Sequence, residues 1–366
     1  MINVVKRSGD VNFAVTIRPL VNGKTKPKML LFTKGGDDQL TEGLFQTIYD
    51  VADEYSENTS VYPYAEAAFD TTNFDGPLEI VSTPNVDIAV PYNVAITPTS
   101  DGATVKAELT PPLVYAASQH LYDGAYYATV DDSFTDEEIT QLADFLYENQ
   151  RVQLVTEVKS VADLKTNYDH VQNTQLKDNT LGNWFNIVNS QSDTKKQAVQ
   201  IAAYAAANMP VELSHIGGQT EFVQDPNLYR EDQDTIASMN GATIVDKADD
   251  LMVLQGKNLA GNYVDQFVHM QYATDAFTDA LQKYENRMQF PQYTDDTINE
   301  MEKTLETTGT ALIQMGILYG DVVITKKPRA EVLNSEVADR RYNYFGIEIQ
   351  LMDTINKING RLQITL

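Results

Sequence analysis

Residues 125–158 read AYYATVDDSFTDEEITQLADFLYENQRVQLVTEV. The opening run, AYYATVDD, stays largely apolar until it meets two acids, the pattern of a short buried strand. TDEEITQLADFLYEN then changes period: Ile139, Leu142, Phe145 and Leu146 recur at helical spacing. Thr135 stands at the N-cap position and Glu138 three residues on, the two halves of a capping box. RVQLVTEV returns to a β-rich run. A helix crossing between two strands makes them a parallel pair. The stretch therefore predicts an α/β fold, a mostly parallel open sheet with flanking helices.

WFNIVN (184–189) and the helix DTKKQAVQIAAYAAANM (193–209), stopped by Pro210, repeat the alternation. GATIVDKADDLMVLQGKN (241–258) reads as strand, turn and strand. Two long helices follow. In 263–288, Tyr263, Phe267, Met270, Thr274, Phe277, Leu281, Tyr284 and Met288 form a one-sided stripe. The second runs from about Asp295 to Leu318, with Ile298, Met301, Leu305, Leu312 and Met315 on one face. Upstream, MLLFTKGGDD (29–38) is a buried strand, and QLTEGLFQTIYDVADEY (39–55) is predicted helical from Leu40, Leu44, Ile48 and Val51 at steps of 4, 4 and 3. Residues 76–112 hold six of the 13 prolines between short β-rich pieces, which reads as a proline-rich β insertion or an irregular edge.

Both ends of the chain alternate. Val11, Phe13, Val15 and Ile17 share one face of a strand that Pro19 ends, with a basic, turn-rich tether (21–28) after it. At the other end DVVIT (321–325) and YFGIEIQLM (344–352) precede INGRLQITL (358–366), where Leu362, Ile364 and Leu366 share a face. One-faced strands of this kind need a partner. The expected division is a strand arm and tether at 1–28, a first α/β part at 29–75, the β-rich insertion at 76–112, an α/β core at 113–320 and a C-terminal hairpin with linking strand at 321–366.

Charge separates the ends from the body. The net charge is −25. Residues 1–28 carry +5 and residues 321–366 carry +1, which leaves −31 on 29–320. An acidic body argues against binding a nucleic-acid backbone. The basic residues Lys326, Lys327, Arg329, Arg340 and Arg341 are candidates for contact with an acidic partner surface. Cys is absent, so disulfides and thiolate chemistry are not expected. No apolar run approaches the length of a membrane span, and MINVVKRSGD does not read as a signal peptide.

The sequence carries few chemical motifs. NGKT (22–25) lacks the earlier glycine of a phosphate loop, because Arg18 stands there. Gly35–Gly36 lacks the third glycine of a dinucleotide turn. His120, His170, His215 and His269 are isolated in sequence, without a ligand spacing. Ser214 lies beside His215, with no nucleophile elbow around it. Among the paired acids, Asp131–Asp132 ends a strand before a capped helix, where an α/β fold places ligands, so it is the one pair to watch. It also carries the alternative reading, a soluble α/β enzyme.

In their order and spacing these pieces resemble the sheath proteins of contractile phage tails and phage-tail-like particles. Four stretches carry the likeness: 125–164, the strand–capped helix–strand unit; 240–287, a strand, a glycine turn and a long helix; 290–318, a helix introduced by FPQYTDD; and 338–366, the closing strands. It covers roughly 125–320 and 336–366 and is weak over 1–120. The resemblance implies a structural protein without cofactors, catalytic residues or metal. Such subunits are expected to stack as hexameric rings around an inner tail tube, joined to baseplate and tail terminator proteins. They assemble in the host cytoplasm and reside in the virion tail. Contraction would drive the tube through the host envelope while terminal strands keep neighbouring subunits linked. The sheath of a phage-tail-like bacteriocin or another contractile injection system is the alternative. The basic set from Lys326 to Arg341 would then face the tube, and neither nucleic acid nor membrane insertion is implied.

Overall fold

The computed structural model describes residues 28–97, 104–175, 181–288 and 292–352. In chain order the elements begin with β1 (Met29–Lys34), β2 (Thr41–Phe45), α1 (Ile48–Glu54), α2 (Val61–Phe69), β3 (Leu78–Thr83), β4 (Ile88–Thr97) and β5 (Thr104–Thr110). They continue with α3 (Pro112–His120), β6 (Tyr127–Val130), α4 (Asp136–Asn149), β7 (Gln153–Val158), α5 (Val161–Thr174), β8 (Trp184–Val188), α6 (Gln197–Ala207) and α7 (Arg230–Ser238). The last are β9 (Ile244–Lys247), β10 (Asp250–Val253), α8 (Val264–Arg287), α9 (Asp295–Gln314), β11 (Leu318–Thr325), α10 (Asn334–Ala338) and β12 (Gly346–Leu351).

Six strands form one sheet in the order β2-β3-β1-β6-β7-β8, parallel throughout except for the antiparallel edge strand β2. The strands are apolar on both faces because helices cover both. Met29 and Leu31 of β1 enter one core with α2, α6 and the start of α8, while Leu30 and Phe32 enter the other with α3, α4 and α5. The capping box at α4 forms as predicted: Glu138 N donates to Thr135 Oγ1 at 3.3 Å, and Thr135 N donates to Glu138 Oε2 at 2.7 Å.

Two expectations are corrected. Residues 39–55 are not one helix: Thr41–Phe45 is strand β2, and only Ile48–Glu54 is helical. The spacing of Leu40, Leu44, Ile48 and Val51 mimics a helix, but pairing with β3 over five residues decides the conformation. Leu44 is accordingly 41% exposed rather than on a buried stripe. Leu78–Thr83 is likewise no part of a separate β unit. It is β3, wholly buried and parallel to β1. The pair that stands apart is β4–β5, an antiparallel two-stranded sheet.

The strand–turn–strand at 241–258 is the hairpin β9–β10, closed by Ala248 and Asp249, both at positive φ as a two-residue hairpin turn of this hand requires. Just before it, Ala242 extends the large sheet by one parallel bridge to Ile187. Among the described residues no helix is long and apolar enough to cross a membrane.

The two long helices form, and α8 does more than the sequence stripe suggests. Its first half sends Val264, Phe267 and Val268 into the core of the large sheet. Its second half sends Ala273, Phe277 and Leu281 into a separate core shared with α9, β11 and β12. One helix therefore joins the α/β body to a smaller module. At the changeover Arg151, from the turn between α4 and β7, makes paired bonds to Asp275 of α8: Nη1 to Oδ1 at 2.8 Å and Nη2 to Oδ2 at 2.8 Å.

Candidate assembly surface

The small module places β11 antiparallel to β12 and lays both on α8 and α9. Val322, Ile324, Ile347, Ile349 and Leu351 pack inward. The approach is close: a Cβ on Gly309 of α9 would sit 2.7 Å from Val322 Cγ2. The opposite face is open, with Tyr319 58% and Val323 49% exposed. Among the described residues β11 and β12 pair only with each other, so each has one unpaired edge. A two-stranded sheet with open edges can take another strand, and its outer face here is mixed, Tyr319 and Val323 beside Asp321, Glu348 and Gln350.

The predicted linking faces, Val11, Phe13, Val15 and Ile17 at one end and Leu362, Ile364 and Leu366 at the other, lie outside the described residues. So does the NGKT segment. The basic set is described. Lys326 bonds Glu302 and Asn299 of α9. The Lys327 ammonium lies 4.2 Å above the Tyr344 ring, and the Arg329 guanidinium 5.2 Å above Tyr293. Arg341 bonds Asp339 at 3.1 Å, and Arg340 adopts a left-handed backbone at φ 56°. Tyr293, Tyr342, Tyr344 and Phe345 pack edge to face beneath this set. Lys327 and Arg329 thus rest on a braced aromatic base, while Lys326 and Arg341 are held by polar partners.

Asp131 and Asp132 part company. Asp131 lies between β1 and β6, where β3 and β6 leave β1 in opposite directions, the usual ligand crevice of an open α/β sheet. Its carboxylate is buried and accepts bonds from Thr33 Oγ1 at 2.6 Å, Ser60 Oγ at 2.7 Å and Ser133 N at 3.1 Å. Asp132 turns outward toward Lys196, 3.5 Å away. The pair is thus one buried brace and one surface charge. A cleft of about 430 Å³ beside it is lined by Thr33, Lys34, Gly35, Gly36, Tyr55 and Ser60 among others. Lys34 is paired with Glu138 at 2.9 Å.

The histidines separate as well. His170 Nε2 is 2.9 Å from Asp144 Oδ1, and His215 Nδ1 is 3.4 Å from Glu212 Oε2. Ser214 is buried and bonded to Glu212, not to His215. His120 sits among three carboxylates, Asp123 three residues on and Glu42 and Glu79 distant in sequence: Nδ1 is 2.9 Å from Asp123 and 3.3 Å from Glu79, and Nε2 is 3.3 Å from Glu42. Burial disfavours charge on that ring, but Asp123 and Glu79 outweigh it and hold the imidazole up at about 9.

His269 of α8 is packed inside, 3% exposed with neither ring nitrogen hydrogen-bonded. Burial alone pushes it down from 6.5 to about 4. The neutral ring therefore contributes stability that is complete above the ordinary value and is lost as pH falls toward 4. The gap amounts to at most about 3 kcal/mol. His269→Leu should flatten the fall in urea midpoint between about pH 7 and about pH 4.5. Parallel curves for the two proteins would rule this out.

No protein-family model matches the sequence, and no curated protein matches it. Solved structures do match in fold. A chain of the anti-feeding prophage (AFP) baseplate superposes with a TM-score of 0.60 at 12% identity, covering 97% of this chain and 98% of that one. A chain of the PVC sheath complex, an extracellular contractile injection system in its contracted state, gives 0.58 at 10% identity over 96% and 97%. A sheath tail protein from Desulfitobacterium hafniense superposes at 0.47, with 10% identity over 91% and 99%. Nearly every residue of the chain takes part in the match to the PVC sheath chain, the six-stranded body and the small module together: the fold of this protein is that of a contractile tail-sheath-like protein.

Proposed function

We propose that this chain is a structural subunit of a contractile sheath. Its copies stack as rings around an inner tube, and contraction drives that tube into a target envelope. The observation that carries the reading is the end-to-end match to a sheath chain, over 96% of one and 97% of the other. The open β11–β12 sheet supports it, because an assembly that slides without dissociating needs flexible links between rigid bodies. The terminal strands around Val11–Ile17 and Leu362–Leu366 supply those links by adding to the β11–β12 sheet of neighbouring copies. Such contacts are heterologous and therefore propagate as rings and helices. Of the basic set, Lys327, Arg329, Arg340 and Arg341 present charge toward the tube, while Lys326 is bound to Glu302.

Negative-stain microscopy of the purified full-length chain tests the reading directly. Striated tubes or stacked rings are expected. A uniform small particle that never polymerises, at any concentration or salt, would overturn it. A phage tail and a capsid-free injection device use the same subunit chemistry, and neighbouring capsid and terminase genes distinguish them.

A further inference from the structure

The side chains around His120 form a cluster that the assembly reading does not use. Glu42 comes from edge strand β2, Glu79 from β3, His120 from the end of α3 and Asp123 from the turn after it. One donor atom from each of Glu42, Glu79 and His120 lies within 4.8 Å of the other two. His120 is 2% exposed and Glu79 8%, yet His120 Nε2 and Glu79 Oε2 lack any hydrogen-bond partner. Buried polar atoms are rarely left in that condition, and two of them in one cluster point to a missing partner.

Charge says what kind. Glu42, Glu79 and Asp123 are three carboxylates, and among the described residues the only cationic group within ion-pair distance of any of them is His120. The cluster stays negative even with the ring protonated. We infer that Glu42, Glu79 and His120 form a binding site for one divalent transition-metal ion of the zinc class, held by His120 Nε2 and a carboxylate oxygen of each glutamate.

The geometry fits. The 3.3 Å between His120 Nε2 and Glu42 Oε2 is close to the edge of a tetrahedron of ligands at about 2.0–2.1 Å from its centre. Nδ1 lies 2.9 Å from Asp123 Oδ2 and 3.3 Å from Glu79 Oε1, so its N–H donates to these carboxylates, the tautomer that leaves Nε2 free, and Glu79 offers the ion its unpartnered Oε2. An imidazole ligand favours zinc-like ions over calcium and magnesium, which take oxygen. The Glu42 side chain is 52% exposed, so an ion can enter and that arm can close on it. A bound ion would tie the edge strand β2 to β3 and α3.

The test is calorimetric titration of ZnCl2 into tag-free, chelator-stripped full-length protein, with thermal unfolding alongside. One saturable site per chain with a Kd near or below about 1 μM and a raised Tm are expected. His120→Gln and Glu79→Gln should weaken binding at least about 100-fold, and Asp123→Asn about 10-fold. Should the buried variants fail to fold, Glu42→Gln, on the exposed arm, gives the same reading. Absence of saturable binding, equal binding by the variants, or calcium binding as tight as zinc would each overturn the site and leave a protonated imidazole among carboxylates.

Discussion

Asp275→Ala should cost the fold about 3–5 kcal/mol, among the largest losses from any single substitution in this protein. Arg151 is 4% exposed and Asp275 6%. Their two parallel bonds, both 2.8 Å, are joined by Tyr126, whose hydroxyl donates to Asp275 Oδ2 at 3.0 Å, and by Gln271 Oε1, which accepts from Arg151 Nη1 at 2.8 Å. The Tyr122 ring lies 5.1 Å from the guanidinium carbon. Removing the carboxylate strands a permanent cation in a dry site, since guanidinium cannot shed its proton. The backbone reports the same commitment. Gln150 at φ 49° and Val152 at φ 58° flank Arg151 in the left-handed region, which a β-branched residue such as Val152 enters only at a cost. Replacing both partners with apolar residues, Arg151→Met with Asp275→Leu, should recover most of the loss, because the penalty is the unpaired charge and not the missing attraction. Urea midpoints of the two singles and the double form the cycle that checks this. A single-variant loss below about 1 kcal/mol would mean that α8 is anchored by its apolar face alone.

That anchor was invisible in the sequence, and the reason is general to the molecule. What could be read lay within one element or across one connection. Thr135 and Glu138 are three apart, and their capping box forms. The strand–helix–strand of 125–158 is local, and it predicts the parallel β6–β7 pair. Arg151 and Asp275 are 124 residues apart, and nothing near either marks the other. The His120 cluster fails for the same reason, since Glu42, Glu79 and His120 come from two strands and a helix. The helix-like spacing of 39–55 hides that Glu42 lies on an edge strand. Gly43 in the middle of that stretch is a poor helix former but no better in a strand, so composition alone does not decide between them. With β2 and β3 recognised as neighbours, both glutamates fall on adjacent strands. The stripe on α8 was half legible: Phe267, Phe277 and Leu281 are buried, but Met270 and Thr274 are only partly so. A helix that changes partner midway does not keep one buried face. Asp131 shows the converse error of a site suspected from position. Its place at the crevice is as expected, and its bonding to Thr33, Ser60 and Ser133 makes it a brace.

Leu362→Asp combined with Ile364→Asp should abolish polymerisation while leaving the subunit folded. In β12, Ile347, Ile349 and Leu351 alternate inward and Glu348 and Gln350 outward. That strand and β11 leave unpaired edges among the described residues, and two strands alone are marginally stable. An added strand from another copy supplies a ladder of backbone bonds and buries one apolar face. Leu362 and Ile364 are the centre of such a face by the alternation of 358–366. An aspartate there must either be desolvated or break the ladder, at a cost of several kcal/mol per contact. Because every subunit in a sheath repeats the contact, the loss is multiplied along the assembly, and tubes should disappear rather than thin out. Gln363→Asp lies on the opposite face and should leave them intact. The readouts are sedimentation and negative stain for assembly, and the urea midpoint for the subunit. Three results are distinguishable. Tubes lost with the midpoint unchanged is the expected one. Tubes persisting in the double variant would mean that this strand links nothing. A subunit that unfolds would place the strand in its own core, so that the open edges of β11 and β12 are closed from within.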